Sequence, residues 1–330
     1  RNESMHKKLI VLVVALLVTC GAVASWYAFR TGGNDSVVRI GYTPLLYAQP
    51  TFVALEKHYF EELGLQVEVT RFENSTQIVN AVISGDLDFC AITPALSVFA
   101  AEEKLDQKDS QFKLVYYNLD SREHPISFLL VKKDSAIATL GDLKGKTIGV
   151  FPGNILSRTS AKLLLKDLMD VERDVVFQDV APQLQAQALD TNQVDAMFSL
   201  EPFATISLEK GVAKILYVAP QLSISEPLPG GCGMMSTRFS RERPDVARKF
   251  VQALEKAGRT IREDPAFALN ILPKYTPLTP EIALKVRQPE YHVAGEQDVK
   301  LLQQEYDALL KEGILNRPLD VKRLIYQGAE

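Results

Sequence analysis

The chain has 330 residues, with 37 Lys and Arg against 41 Asp and Glu for a formal net charge of −4. That mild acidity, with no basic run interleaved with aromatics, excludes a nucleic-acid-binding protein. A hydrophobic fraction of 46% and only three cysteines exclude a disulfide framework and leave ample core at a length natural for two domains.

The first 36 residues read as a leader and tether. His6, Lys7 and Lys8 form a basic start, and Leu9 to Phe29 is uncharged over 21 residues, about 31 Å as a helix. Three readings stay open: a signal peptide cut after Ala22-Val23-Ala24, a lipoprotein signal ending at Cys20, and a retained membrane anchor flanked by Trp26, Tyr27 and Arg30. All three export the rest of the chain. Removal of residues 1–24 would leave 34 Lys and Arg against 40 Asp and Glu, a net charge of −6.

Val37 to Gly41, broken by Arg39, predicts a first strand. Pro50 opens a helix with Phe52, Leu55 and Tyr59 at helical spacing, and Gly64 closes it. Leu65, Val67 and Val69 alternate as a second strand. Asn74 or Ser75 caps a helix carrying Ile78, Val79, Val82 and Ile83, with Gly85 at its end. Leu87 to Ile92 predicts a third strand, and Thr93-Pro94 starts a helix bearing Leu96, Val98 and Phe99. This alternation predicts a parallel sheet with crossover helices.

Glu102 to Gln111 reads as a charged exposed turn, Lys113 to Asn118 as a strand, Asp120 to Pro125 as a polar loop and Ser127 to Val131 as a strand. A second set of elements follows. Strands are predicted at Thr147 to Val150, Val175 to Asp179, Ala196 to Ser199 and Lys214 to Val218. Helices fall between them, carrying Leu156, Leu163, Leu164 and Leu168, then Leu184, Ala188 and Leu189, then starting at Glu201-Pro202-Phe203. Gly141, Gly145 and Gly149 lack the spacing of a phosphate loop. Pro227 to Gly233 reads as a Gly/Pro-rich connector, after which Pro244 to Arg262, Pro280 to Val286 and Glu296 to Glu312 are predicted helices.

One pattern returns along the chain. SGDLDFCAITPAL and, about a hundred residues later, TNQVDAMFSLEPFA each run from a polar turn through an Asp (Asp88, Asp195) and a buried strand to a Pro (Pro94, Pro202). Two similar lobes follow, and ligands in open α/β sheets sit beyond the carboxyl ends of the strands. The cleft between such lobes would be lined by Thr93 from one and Glu201 from the other.

Helix starts at Thr76, Thr93, Asn154 to Ser157 and Glu201 would offer free N–H groups to an anion. Thr76, Thr93 and Ser157 add hydroxyls, and Tyr42, Tyr47 and Phe203 supply apolar walls. Thr76 and Thr93 serve equally as plain helix caps, and Glu201 as an acid complementing its own helix. Arg122, His124 and Arg158 read as solvated residues. Cys90 reads as a small buried residue, with a bridge to Cys232 left open. No His or Cys spacing suits a metal and no G-x-S-x-G occurs, so neither a cofactor nor catalysis is expected.

The segments VRIGYTP with VALEKHYFEELGLQVEV, ISGDLDFCAITPA, LGDLKGKTIGVFPG, VDAMFSLEPFA with EKG, and LLKEGILNRPLDV together resemble one family. The chain is similar, over nearly everything from Val37 to Leu324, to the substrate-binding proteins of bacterial ABC importers in the sulfonate, taurine, nitrate and thiamine-precursor group. The resemblance implies an α/β, two-lobed periplasmic binding protein type II fold. Each lobe would be a mixed, mostly parallel sheet flanked by helices, the two joined by a two-segment hinge. The division would be a leader over 1–36, one lobe over 37–126 plus 235–330, and a second over 127–234.

It further implies an exported monomer, in the periplasm or at the outer face of the cytoplasmic membrane, that hands a small-molecule ligand to permease and ATPase subunits. The ligand expected is a small organic anion of alkanesulfonate or taurine type, held by Tyr42, Thr43, Tyr47, Thr76, Thr93, Asn154, Ser157, Glu201 and Phe203. A thiamine-precursor pyrimidine is the alternative, as is a membrane-held sensing domain. A eukaryotic pyrimidine synthase shares the fold, but its Cys-rich segment is absent near Gly231-Cys232-Gly233, so no enzyme is expected.

Overall fold

A computed structural model describes residues 37–105 and 109–328. The leader expected over 1–36 lies outside the described residues.

The strands are β1 (Val37–Tyr42), β2 (Gln66–Arg71), β3 (Phe89–Pro94), β4 (Phe112–Asp120), β5 (Ser127–Lys132), β6 (Lys146–Val150), β7 (Val175–Asp179), β8 (Ala196–Leu200), β9 (Ala213–Val218), β10 (Leu228–Ser236) and β11 (Glu290–His292). They form two sheets, ordered β11-β4-β10-β3-β1-β2 and β7-β6-β8-β5-β9. Both are mixed. In the first, β1 and β3 run parallel while β10 is antiparallel to β3 and β4. In the second, β6 is parallel to β7 and β8 while β5 is antiparallel to β8 and β9. This is the two-sheet periplasmic binding protein architecture that the sequence led us to expect.

The internal repeat has a physical cause. Just before β3, the Asp88 carboxylate accepts the Arg39 N–H at 2.9 Å and the Asp88 N–H donates to the Arg39 carbonyl at 2.9 Å. Before β8, Asp195 does the same with Thr147, at 2.9 Å in each direction. In each sheet one aspartate therefore sets the register of two parallel strands, aligning Ile40 with Phe89 and Ile148 with Ala196. The parallel extends to Gly41 and Gly149, where an added Cβ would sit 2.5 Å from Leu87 Cδ1 and from Met197 Cε respectively.

The segment expected as a connector is instead strand β10, buried along all nine residues between β3 and β4. Its glycines serve close packing rather than turning: a Cβ at Gly231 would lie 2.6 Å from both Asn118 Oδ1 and Ile92 Cδ1. The chain passes between the sheets over residues 121–126 and again over 219–227.

Glu102 is also a correction. It is buried in the helix Ala95–Leu105, not exposed in a turn, and its carboxylate accepts Ser110 Oγ and the Gln111 N–H at 2.8 Å, leading the chain into β4. Leu168 and Leu184, read as core positions, are 56% and 48% exposed because their helical segments end or change pitch beside them. The longest helix among the described residues, Pro244–Glu263, buries Phe250, Val251, Leu254 and Ile261 on one stripe, with Phe250 stacked on Phe60 at 5.1 Å and edge-on to Phe89. No helix among the described residues is long and apolar enough to cross a membrane.

Candidate functional site

The strand ends of the first sheet carry a row of polar side chains. Thr43 follows β1, Thr93 lies near the end of β3, and Asn118 near the end of β4. Antiparallel β10 enters between them, pairing Cys232 with Thr93 and Gly231 with Asn118. All three side chains are fully buried, yet Thr43 Oγ1, Thr93 Oγ1 and both amide atoms of Asn118 have no hydrogen-bond partner in the protein. Because both Asn118 atoms are unpartnered, the orientation of its amide does not alter the finding. Buried polar groups ordinarily find partners, and leaving one unpaired costs about 1–3 kcal/mol.

The helix Ile155–Leu165 adds Ser157 Oγ, and the return crossing over 219–227 adds Gln221 Oε1 and Ser225 Oγ. Ser157 is placed by a helix cap. Asn154 Oδ1 accepts the Ser157 N–H at 3.0 Å, and neighbouring Leu156 packs in the same apolar cluster as Leu96 and Val98. Gln221 Oε1 approaches within 3.0 Å of where a Gly230 Cβ would stand.

Tyr47 ties the halves together. Its hydroxyl donates to the Ile126 carbonyl at 3.3 Å, and the same carbonyl accepts the Glu201 N–H at 3.0 Å. The Tyr47 ring lies 3.2 Å from a Cβ placed on Gly231. Burial raises the Tyr47 hydroxyl well above its ordinary pKa, and the nearby carboxyls of Asp120 and Glu201 push it the same way.

Glu201 is fully buried, and its carboxylate accepts from Thr205 Oγ1 at 2.9 Å and the Thr205 N–H at 3.3 Å, with Arg287 3.5 Å away. Those contacts match the helix-complementing role. Burial pushes its carboxyl up to about 7 against the opposing pull of Thr205 and Arg287. Asp120 is likewise pushed up to about 7 by burial, although it accepts Ser127 Oγ and the Ile126 N–H.

The other candidates separate. Thr76 is exposed, 3.1 Å from a Cβ on Gly153, and stands at the rim where the two halves approach; the cap of its helix is Asn74, whose Oδ1 accepts the Gln77 N–H. Tyr42 is half-buried, edge-on to Phe52 at 5.3 Å and to Tyr275 at 6.4 Å, and Phe203 is buried. Arg158 pairs with Asp179 at 2.9 Å and Arg122 with Glu226 at 2.6 Å, both largely exposed. Cys90 and Cys232 are free and buried, which closes the question of a bridge between them.

Sequence reasoning passed over Asn118, Gln221 and Arg287. Asn118 carried a signal, as the one amide inside the otherwise apolar run LVYYNL. Gln221 and Arg287 had none, since each becomes significant only through a partner far away in sequence. Among the described residues no cluster of His, Cys, Asp and Glu is placed to hold a metal ion.

Two mixed α/β sheets joined by two chain crossings define the two-lobed fold of the periplasmic binding protein type. The chain belongs to the NMT1/THI5-like family, whose model matches residues 46–268. A Bacillus subtilis (strain 168) protein named for aliphatic sulfonate binding is 26% identical over 332 residues, covering 97% of this chain and 95% of that protein. A 4-amino-5-hydroxymethyl-2-methylpyrimidine phosphate synthase of Saccharomyces cerevisiae (strain ATCC 204508 / S288c) is 25% identical over 240 residues, covering 69% of this chain and 67% of the enzyme. Among solved structures, the alkanesulfonate-binding protein SsuA of Xanthomonas axonopodis pv. citri, bound to MOPS, superposes with a TM-score of 0.69 at 20% identity, covering 89% of this chain and 99% of that one.

Proposed function

We propose that this chain is an extracytoplasmic substrate-binding protein of an ABC importer, closing on a small organic anion and presenting it to permease and ATPase subunits. The observation that carries this is a set of buried, unpartnered groups at or near strand ends and a helix start: Thr43, Thr93 and Asn118 in the first sheet, Ser157 in the helix Ile155–Leu165, and Gln221 in the return crossing. A ligand supplying their missing partners would offset a cost that the empty protein bears alone. The helices Ala95–Leu105 and Ile155–Leu165 begin at this place, and their N-terminal N–H groups favour a negatively charged head. The sulfonate-binding names of relatives covering nearly the whole chain favour an alkanesulfonate.

In this reading the lobes divide as 37–126 with 228–330, and 127–227, since β10 pairs within the first sheet. Tyr42, Thr43, Tyr47, Thr93, Ser157 and Phe203 line the site, Asn154 and Thr76 shape its mouth, and Glu201 joins the lobes through Arg287. No catalysis is assigned. The Cys232 thiol is fully buried, raised well above its ordinary pKa by that burial, and donates to the Thr93 carbonyl at 3.4 Å.

A thermal-shift panel of alkanesulfonates, nitrate, carboxylates and aminopyrimidines tests the proposal. A true ligand at a hundredfold excess over its Kd stabilises the fold by about 2.7 kcal/mol. Shifts confined to sulfonates support the reading, and no shift with any small anion refutes it.

A further inference from the structure

Two segments carry the chain between the sheets, residues 121–126 on the way out and 219–227 on the return. One side chain is linked to both. Asp120, the last residue of β4, is fully buried, and its carboxylate accepts the Ile126 N–H at 3.0 Å and the Ser127 hydroxyl. Ser127 Oγ in turn accepts the Gln221 N–H at 3.3 Å, and the Ser127 carbonyl accepts the Ala219 N–H at 2.9 Å. A hydroxyl has a single proton to give. Because Gln221 donates to Ser127, that proton goes to Asp120, and the relay runs one way, from Gln221 through Ser127 to the carboxylate. The Asp120 backbone also pairs with Leu228, where β10 takes over from the return crossing.

A second link lies outside the first. Arg122 pairs with Glu226 at 2.6 Å, again one residue from each crossing, but both side chains are largely exposed and such a pair adds little. Hydrogen bonds to a buried carboxylate are among the stronger ones, so Asp120 outweighs the outer pair. What it secures matters for the site. The Ile126 carbonyl receives the Tyr47 hydroxyl and the Glu201 N–H, and Gln221 carries an unpartnered Oε1 against Gly230 of β10. We propose that Asp120 is a positioning residue for ligand capture, joining the outward and return crossings in one buried clasp that sets how firmly the two lobes close. This rests on the capture reading above and adds to it the residue that couples the hinge to the site.

Hydrogen exchange read at the Gln221 amide of the full chain tests the clasp without any ligand. Asp120→Ala and Ser127→Ala should each speed that exchange at least about tenfold, while Arg122→Ala leaves it unchanged. Calorimetric titration with 2-aminoethanesulfonate then tests the positioning role. Both clasp variants should bind at least about fivefold more weakly than the parent, and the double variant no more weakly than the worse single one, because the two act through one relay. Asp120→Asn keeps an acceptor for the Ile126 N–H and offers Ser127 Oγ an N–H, leaving a lone pair for Gln221. It should bind within about threefold of the parent, and with Ser127→Ala it keeps the test decisive if the Asp120→Ala variant does not fold.

Parental exchange at Gln221 in both clasp variants would overturn the clasp and leave the capture reading standing. Faster exchange with parental affinity, or a loss in Arg122→Ala as large as in Asp120→Ala, would overturn the positioning role of Asp120. Failure of the parent to bind any compound of the thermal-shift panel would remove the capture reading and the positioning role together, while the exchange result would still decide the clasp.

Discussion

Among single residues, Asp88 and Glu305 show what opposite surroundings do to a buried carboxyl. Burial alone would raise Asp88, but hydrogen bonds from Arg39 and Arg243 outweigh it and hold the group below the usual carboxylate range. Asp88→Ala would strand those cations and undo the β1–β3 clamp. We expect a loss of about 3 kcal/mol in urea unfolding, at the low end for a buried pair because Arg39 remains more than a third exposed. Glu305 is fully buried in the helix Val299–Lys311 with neither carboxylate oxygen partnered, and burial raises it well above its ordinary value of 4.5. The native state therefore keeps its proton while the unfolded chain loses it. Stability from this group is complete below about pH 4.5 and falls as pH rises, by at most about 1.4 kcal/mol per pH unit. Glu305→Gln should shrink the difference between urea midpoints at pH 5 and pH 8. An unchanged difference would mean that Glu305 is paired in solution.

At the level of elements, β10 decides how the first sheet is built, and its glycines are the most exacting positions. Gly231→Ala would drive a methyl into Asn118, Ile92 and the Tyr47 ring, and should cost about 1–3 kcal/mol by thermal unfolding. Gly141→Ala, whose nearest neighbour is 3.7 Å away, should cost less than 1 kcal/mol. The same strand marks where sequence reading stops. The parallel β-α-β units were legible because apolar alternation, caps at Asn74 and Asn154, and the aspartates Asp88 and Asp195 all act over short stretches of chain. Leu228–Ser236 was not, because Pro-Gly-Gly looks like a turn until Tyr116, Asn118 and Ile92 arrive from distant segments to need its missing side chains. Glu102 escaped notice likewise, its partners Ser110 and Phe112 being visible only once the helix and β4 are in place. For the site, Thr93 and Ser157 could be found from helix starts, whereas Asn118 and Gln221 required the register of β10.

Across the whole molecule, contacts join the two sheets' elements on several sides of the groove. Lys166 pairs with Glu312 at 2.7 Å, Lys285 with Glu209, and Arg287 with buried Glu201 while lying 4.7 Å over the Phe128 ring. The first two are exposed and worth little each. The third is a different case, because removing Arg287 leaves Glu201 buried without its cation. Arg287→Ala should weaken ligand binding and further raise the Glu201 carboxyl, making the loss largest above pH 7, where the unpaired group must ionise; calorimetry at pH 6 and pH 8 would show it. Equal losses at the two pH values would assign Arg287 a packing role on Phe128 instead.

The central claim is that one guest is held jointly by the strand ends of both sheets. Titration of 2-aminoethanesulfonate into Thr93→Val and, separately, Ser157→Ala measures it directly, since the two hydroxyls come from opposite sides and neither has a partner within the protein. Each variant should fold with its melting temperature intact and bind at least about fivefold more weakly than the parent. Parental affinity in both would contradict the account.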